Sequence, residues 1–226
     1  MNTRRRLAYF LLALALPFTA VTGAADEGGL CAPFKNGKVD ESMLETMFKA
    51  ASVGRLYRIE AASSKVGFCV NSQFRRVEGD FKEFQGGMTL SKDGAGKAQT
   101  LVAIKVNSLD TDGALIEAMI KSARFFDVEN YPEILFVSTG FDWTSNTTAL
   151  LRGNLTLHGV TRPVTFHVTL TDIKGTPGVD QGKEILVKAT TTVSRAEFGM
   201  DTLSSLVDDK VQLCMSVKAR KFAGRV

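Results

Sequence analysis

The residues from 151 to 170 form two runs in which apolar and polar side chains alternate, with a short break between them. In the first run the alternating apolar residues are Leu155 and Leu157, and in the second they are Val164, Phe166, Val168 and Leu170. Side chains on a strand point to opposite faces at every second residue, so the pattern predicts a β-hairpin with one apolar face. We expect the break to cover Gly159 to Pro163, because Pro163 has no N–H and suits the first residue of the returning strand.

The same alternation recurs through most of the chain. Further segments of this kind follow Leu56 and cover Leu101–Val106, Ile134–Thr139, Ile185–Val193 and Val211–Val217. About eight or nine strands with short connections are typical of an antiparallel all-β domain. Strands of this kind bury their apolar faces in a sandwich or in a barrel, and a barrel can hold an apolar ligand.

Two segments have helical spacing instead. Met43, Leu44, Met47 and Phe48 recur at this spacing between residues 40 and 52, and Gly113 to Ser122 carries a shorter run of the same kind. Apolar residues three and four positions apart predict a helix with one packing face. We therefore expect an N-terminal helix outside the main body and a short helix in the 113–122 region.

The N-terminus has the features of a targeting segment. Three arginines, Arg4 to Arg6, precede an uncharged run, Leu7 to Ala20, and small residues follow. A basic start, a short apolar middle and a small-residue end form a secretory signal peptide, and the apolar run is short for a membrane anchor. We predict cleavage near Ala24 or Ala25.

Removal of this segment changes the charge of the chain. The formal net charge of +4 falls to +1 without the three arginines. A nearly neutral protein has no general electrostatic basis for binding nucleic acid, so we expect no such partner. The remaining length is enough for one domain with a sizeable core, and the sequence shows no internal repeat.

The three cysteines are Cys31, Cys69 and Cys214. Export would place them where disulfides form. Cys69 and Cys214 each point away from the apolar residues of their strands, and they could pair if the first and last strands meet. Pairing of Cys31 with either of them, or three free thiols, remains open because spacing alone does not fix connectivity.

Residues that could carry catalysis or bind a metal are few. His158 and His167, the only histidines, both fall on the polar faces of their predicted strands, and no cysteine or carboxylate cluster accompanies them. This is a poor set of metal ligands, and no nucleophile–base pair or catalytic motif can be named. We therefore predict a protein without enzymatic activity, metal or cofactor.

Four segments in order carry a family resemblance. They are Ser108–Thr111, Lys121–Val128 with Tyr131–Pro132, Gly153–Val164 and Ser194–Met200. Together they resemble the YceI family of bacterial periplasmic, polyisoprenoid-binding proteins, over about Leu56 to Lys221. The expected organisation is a signal peptide (1–25), an N-terminal extension with a short helix (26–54) and a YceI-like barrel (55–222), in a periplasmic protein.

The resemblance implies an eight-stranded, antiparallel, lipocalin-like barrel that holds a long isoprenoid, such as a polyprenyl phosphate or a quinone tail. Alternatively, the barrel is filled by its own side chains. The apolar residues expected to line the cavity are Phe68, Val70, Ile104, Val106, Phe125, Phe126, Phe136, Leu157, Phe166, Val168, Phe198 and Met215.

The sequence departs from the family just before Phe125. The family usually has an Arg-Asp-x-His run where residues 116–119 read Ile-Glu-Ala-Met. The change implies a more apolar cavity mouth, which weakens the case for a phosphate head group and slightly favours a neutral quinone or another lipid. Lys121, Arg124 and Arg195 remain candidates for contact with a polar head group. Each could equally be a surface charge or, for Arg195, a structural ion pair with a carboxylate.

Three functions are compatible with these features. The first is a carrier or sequestering protein for an isoprenoid or quinone-type lipid, with transient contact to a membrane or membrane protein. The second is an enzyme that acts on such a lipid, although no catalytic cluster can be assembled. The third is a stress-related interaction protein with a filled barrel. A homodimer is compatible with each of them.

Overall fold

The computed structural model describes residues 41–52, 55–90, 98–172 and 183–222, without the side chains of residues 41, 42 and 172. Two helices and eleven strands lie in these ranges. Their bounds are α1 Glu41–Ser52, β1 Leu56–Ile59, β2 Lys65–Ser72, β3 Arg76–Phe81, β4 Phe84–Thr89, β5 Gln99–Lys105, β6 Leu109–Thr111, α2 Ala114–Lys121, β7 Glu133–Trp143, β8 Thr148–Leu157, β9 Val160–Asp172, β10 Glu184–Ser194 and β11 Val207–Lys221.

The strands close into an eight-stranded antiparallel barrel, as predicted. Three of the eight barrel strands are interrupted, and each consists of two shorter strands. β1 pairs with β4 and β2 pairs with β3, so β1–β2 forms one interrupted barrel strand and β3–β4 forms the next. β5 pairs with β4 and β6 pairs with β3, so β5–β6 is the third interrupted barrel strand. The continuous strands β7 to β11 follow in sequence order around the barrel. β11 closes the ring, because its end pairs with β1 and its earlier part pairs with β2.

Two of the interruptions face each other and are joined by hydrogen bonds. The short gap at Lys82 and Glu83 lies opposite a one-turn 3₁₀ helix, Val106–Ser108. The Glu83 N–H donates to the Ser108 hydroxyl over 2.9 Å, and the Lys82 N–H donates to the Ser108 carbonyl over 3.1 Å. Both backbone N–H groups at the break are therefore hydrogen-bonded.

The hairpin of β8 and β9 is tighter than predicted. Only His158 and Gly159 form the turn, and their φ angles of 50° and 71° are typical of a two-residue hairpin. The expected break from Gly159 to Pro163 is therefore wrong. Pro163 lies within β9, opposite Asn154. It is tolerated there because β9 pairs with β10 only from His167 onward, so no partner on that side needs its N–H.

Helix α1 lies outside the barrel, as predicted. Its Met43 packs with Leu101, Ala103 and Leu135, which are on the outer face of β5 and β7. The signal peptide, residues 26–40 and Cys31 lie outside the described residues. No helix in the described part of the chain is long and apolar enough to cross a bilayer.

The two ends of the barrel differ. At one end, here called the α2 end, lie α2, the β2–β3 turn (residues 72–75), the β8–β9 turn and the connection from β10 to β11. At the opposite end, the described residues Tyr57, Leu170 and Ile185 are buried and fill the interior. Space for a ligand therefore lies between this packed end and α2.

Candidate functional site

A cavity occupies the barrel interior. It encloses about 180 Å³, which is room for roughly a dozen water-sized positions. Side chains from all eight barrel strands and from α2 line it. The barrel is therefore hollow, and the alternative of an interior filled by protein side chains does not hold.

The wall of this cavity is almost entirely apolar. Among the 33 lining residues that the structure describes, only Thr100 and Arg195 are polar or charged. Aliphatic and aromatic side chains offer dispersion contacts but no hydrogen bonds to a guest. The cavity is therefore chemically suited to a hydrocarbon chain rather than to a polar metabolite.

The predicted lining residues and the observed ones largely coincide. Ten of the twelve predicted residues line the cavity, and Val106 and Phe198 do not. Each of these two is only 1% exposed and belongs to the surrounding core. Both lie in one-turn 3₁₀ helices that follow a strand. The alternation therefore no longer sets the direction of their side chains.

Sequence reasoning missed several lining residues. Alternation within the strands could have identified most of them, whereas those on α2 depend on how the helix crosses the barrel end. The lining residues that were not predicted include Val77, Phe81, Met88, Ile116, Met119, Ile120, Leu151, Val187, Ala189, Met200, Val207 and Leu213.

Three phenylalanines form a cluster next to α2. Phe68, Phe81 and Phe126 lie with ring centroids 5.8 to 6.1 Å apart, in tilted and edge-to-face orientations. Phe126 is held under the helix because its N–H donates to the Ile120 carbonyl over 3.0 Å. Aromatic pairs with this geometry are favourable beyond their buried area. The cluster gives the cavity a firm wall at the α2 end.

The helix itself presents apolar side chains to the cavity mouth. Ile116 and Met119 occupy two of the positions where the family resemblance leads one to expect Arg and His, and both line the cavity. Glu117 and Lys121, on the same helix, form an ion pair over 2.7 Å. No free charge on α2 therefore points to a phosphate-bearing head group.

Arg195 is buried and held by backbone groups. It is 4% exposed, and its guanidinium donates to the carbonyls of Met200, Thr202, Val207 and Asp208. These bonds use most of the five N–H donors of the side chain. The partners are carbonyls rather than the carboxylate expected as one alternative. Arg195 thus fixes the connection from β10 to β11.

The other two head-group candidates lie differently. Lys121 is half-buried and paired with Glu117, and Arg124 is exposed beyond the end of α2. Arg195 lines the cavity and Arg124 does not. The structure therefore does not bring the three candidates together at one point, and their contact with a head group stays a prediction.

Cys69 and Cys214 lie on neighbouring strands and face away from the cavity. Cys69 is opposite Gln212 and Cys214 is opposite Gly67, which makes the two cysteines diagonal neighbours. Neither is in a disulfide within the described part of the chain. Arg76 Nη2 donates to Cys69 Sγ over 2.6 Å, and burial raises the pKa of the Cys214 thiol. The predicted Cys69–Cys214 bridge stays a prediction.

Comparison with known sequences identifies relatives of this chain. A UPF0312 protein of Pseudomonas putida strain W619 is 39% identical over 124 residues, which cover 55% of this chain and 64% of that relative. Protein YceI of Salmonella paratyphi B is 31% identical over 140 residues, which cover 62% of this chain and 72% of the relative. This chain thus spans less than two thirds of the Pseudomonas protein's length.

Solved structures share the fold. BcnA of Burkholderia cenocepacia superposes with a TM-score of 0.63 and 22% identity, over 71% of this chain and 98% of BcnA. A polyisoprenoid binding domain from Saccharophagus degradans superposes with a TM-score of 0.57 and 14% identity, over 73% of this chain and 98% of that domain. The family model for the YceI-like domain matches residues 57–219, which comprise all eight barrel strands. This chain belongs to the YceI-like family.

Proposed function

We propose that this chain is a carrier or sequestering protein for an isoprenoid lipid with a neutral head group, such as a quinone, and that it performs no catalysis. The observation that carries the proposal is the hollow barrel, whose described lining residues are apolar apart from Thr100 and Arg195. The structural neighbour from Saccharophagus degradans, described as a polyisoprenoid binding domain, supports this ligand class.

Burial of an apolar tail supplies the binding energy. Each CH₂ removed from water contributes about 0.8 kcal/mol, so a five-carbon prenyl unit gains roughly 3–4 kcal/mol before ordering costs. Association and tail ordering offset several kcal/mol of this gain. A few buried prenyl units therefore suffice for stable binding, and the repeating tail needs no fixed polar contact along its length.

The charges around the cavity support a neutral head group. Arg195, the one charged residue among the described lining residues, already donates to four backbone carbonyls. A phosphate inside the cavity, away from the exposed Arg124, would be a buried anion without free cationic partners, which is strongly unfavourable. A quinone ring has no charge to compensate and can lie among the phenylalanines near α2.

The proposed location is the periplasm. The sequence from Arg4 to Ala25 has the three parts of a secretory signal peptide, which supports export and cleavage. A lipid carrier in this compartment would move its cargo through the aqueous space between membranes. Fractionation of the host cell, with N-terminal sequencing of the mature chain, tests this location.

The direct test of the ligand class is extraction of the native protein. The full-length gene product is purified from its host without detergent, extracted with organic solvent and examined by mass spectrometry. We expect a prenyl lipid without a phosphate in near-stoichiometric amount. A co-purified prenyl phosphate would contradict the neutral head group, and a polar metabolite in its place would contradict the carrier function.

A variant pair tests whether the interior holds the ligand. Ala189 is buried and lines the cavity, whereas its neighbour Thr190 is exposed on the outer face of β10. Ala189→Phe places a ring in the cavity, and Thr190→Phe adds the same ring outside.

The apolar fluorophore N-phenyl-1-naphthylamine serves as a probe of ligand binding. Trp143 is unsuitable, because it packs on Phe141 (centroids 5.1 Å apart) and does not line the cavity.

We expect Ala189→Phe to weaken binding of this fluorophore at least tenfold and Thr190→Phe to leave it within twofold of the parent protein. Competition with a quinone that carries a short isoprenoid tail should displace the fluorophore. Equal affinities for the two variants would contradict binding in the barrel interior.

A further inference from the structure

Several large apolar side chains are exposed at the α2 end of the barrel. Phe74 is 82% exposed and Leu115 is 88% exposed, the highest values for large apolar residues in the described part of the chain. Met119 and Leu206 lie at the same end and are 39% and 36% exposed. Exposed apolar residues that are grouped in this way mark an interaction surface. These four residues are called the docking rim below.

Hydrogen bonds hold the three segments of the docking rim side by side. The Gln73 N–H donates to the Leu206 carbonyl over 2.9 Å, and the Gln73 amide Nε2 donates to the Ser205 carbonyl over 2.7 Å. Arg75 Nη2 donates to the Asp112 carbonyl over 3.0 Å, just before α2. The β2–β3 turn, with Phe74 at its tip, therefore lies between the Leu206 segment and α2.

The docking rim surrounds the mouth of the cavity. Met119 both lines the cavity and is exposed, and Leu206 directly precedes Val207, which also lines it. Val70 and Val77 flank the β2–β3 turn, line the cavity and are half-buried. The docking rim therefore lies beside residues that line the cavity, with Met119 belonging to both.

Two exposed arginines beside the docking rim, Arg75 and Arg124, are available to lipid phosphates. Neither of them forms an ion pair with the residues that the structure describes. Glu117 and Lys121 neutralise each other, and the exposed acidic residues without a described ion pair on these segments are Asp112, Asp201 and Asp208. Guanidinium groups bind phosphate oxygens in a bidentate manner. Exposed apolar side chains with cationic residues beside them are typical of proteins that bind at a membrane interface.

We propose that the α2 end of the barrel docks on the surface of a lipid bilayer, with the docking rim inserted among the lipids and with Arg75 and Arg124 on their phosphates. This inference rests on the proposed lipid-carrier function and adds the route by which the lipid enters. A prenyl tail that leaves a bilayer directly into the cavity never crosses water, so the cost of exposing it is avoided. The mouth must then face the membrane.

The test is flotation of the full-length mature protein with vesicles of phosphatidylethanolamine and phosphatidylglycerol in a 3:1 ratio. The test variant is Phe74→Ser with Leu115→Ser. The matched control is Phe48→Ser, because Phe48 is 53% exposed but lies on α1, outside the barrel. We expect the double variant to lower the vesicle-bound fraction at least tenfold and the control to leave it unchanged. A double variant that floats like the parent protein, or a parent protein that does not float, would overturn the docking proposal.

A second measurement separates docking from cargo binding. N-phenyl-1-naphthylamine added without vesicles should bind the parent protein and the double variant equally, because the exposed tips do not hold the ligand. If the parent protein fails to bind the fluorophore, the proposed function fails, whereas the flotation result still decides the docking. If the double variant alone loses fluorophore binding, the tips belong to the cavity and the docking interpretation is wrong.

The cationic part of the proposal has its own test. Arg124→Gln should reduce flotation severalfold on vesicles with phosphatidylglycerol and less on vesicles of phosphatidylcholine alone, whose phosphates give no net surface charge. The loss should shrink as salt rises, because exposed charges are screened. Equal flotation of this variant and the parent protein on both vesicle types would overturn the role of Arg124.

Discussion

The ring of Phe136 lies directly against the backbone of Gly153, its diagonal neighbour across the β7–β8 pair. A Cβ atom at Gly153 would lie 2.5 Å from Cε2 of Phe136 and 2.6 Å from the Val137 carbonyl oxygen. Both distances are far below van der Waals contact, and the carbonyl is part of the sheet and does not move easily. Phe136 lines the cavity. The absence of a side chain at Gly153 therefore allows this ring to occupy its place in the wall.

Gly153→Ala should destabilise the barrel because either the ring or the strand must shift. Overpacking of this kind costs about 1–3 kcal/mol, which corresponds to a melting temperature roughly 2–12 °C lower for a domain of this size. Gly140→Ala is the control, since a Cβ there would meet only the flexible guanidinium of Arg152, at 3.3 Å. Thermal denaturation followed by circular dichroism measures both shifts. Equal shifts for the two variants would mean that the Phe136 contact is unimportant.

The barrel wall could be predicted because alternation along a strand assigns each side chain to a face. Phe166 and Val168 are examples: the period of two places both inward, and both line the cavity. Val106 continues the alternation of β5, but the chain leaves the strand at Lys105 and turns its side chain into the core. The alternation of apolar and polar residues does not show where pairing with a neighbouring strand stops.

For a related reason, the sequence could not predict the surroundings of Arg195 or the position of α2. The carbonyls that bind Arg195 belong to residues 200–208, and their positions depend on the path of the chain after β10. Met119 lines the cavity only because α2 crosses the barrel end. Helical spacing identified the apolar face of α2, whereas tertiary packing determined what that face covers.

Arg195→Lys distinguishes a structural role for this residue from contact with a polar head group. An ammonium group has three donors on one atom and cannot reach carbonyls on opposite sides, as the planar guanidinium does. Loss of these bonds should cost about 2–4 kcal/mol, because buried carbonyls lose charged partners. Hydrogen exchange should become faster over residues 200–208.

An unchanged melting temperature of Arg195→Lys would argue against a structural role for Arg195. If its main role were to bind an anionic head group, lysine would keep the charge and the variant would melt with the parent protein. An unchanged melting temperature, together with weaker binding of a prenyl phosphate, would therefore contradict the structural role.

Asp209 should make the connection from β10 to β11 sensitive to acid. The Ser194 hydroxyl donates to Asp209 Oδ1 over 2.8 Å, and the Ala196 N–H donates to the same oxygen over 3.0 Å. These hydrogen bonds, that from Ser194 first, lower the pKa of the Asp209 carboxyl in the folded protein. A lowered pKa contributes stability above the unfolded value, near pH 4, that is lost as the pH falls below it.

The test of this acid sensitivity compares Asp209→Asn with the parent protein from pH 7 to pH 3. The variant should melt at a lower temperature at pH 7, and the difference should shrink as the pH falls below about 4. Asp201→Asn is the control, since it removes the same charge from an exposed position. A constant difference between Asp209→Asn and the parent protein across this range would exclude the proposed linkage.

Cys69 and Cys214 should respond to the redox state of the mature protein. They are diagonal neighbours on adjacent strands, and a bridge between them would join the first and last strands of the barrel. Closing so long a loop typically stabilises a protein by about 2–4 kcal/mol.

If the exported protein has this bridge, dithiothreitol should lower its melting temperature. Cys214→Ser should melt at that lower temperature with or without the reductant. Peptide mapping by mass spectrometry identifies the linked pair. Three titratable thiols in the oxidised protein, or a linked peptide that contains Cys31, would contradict the Cys69–Cys214 bridge.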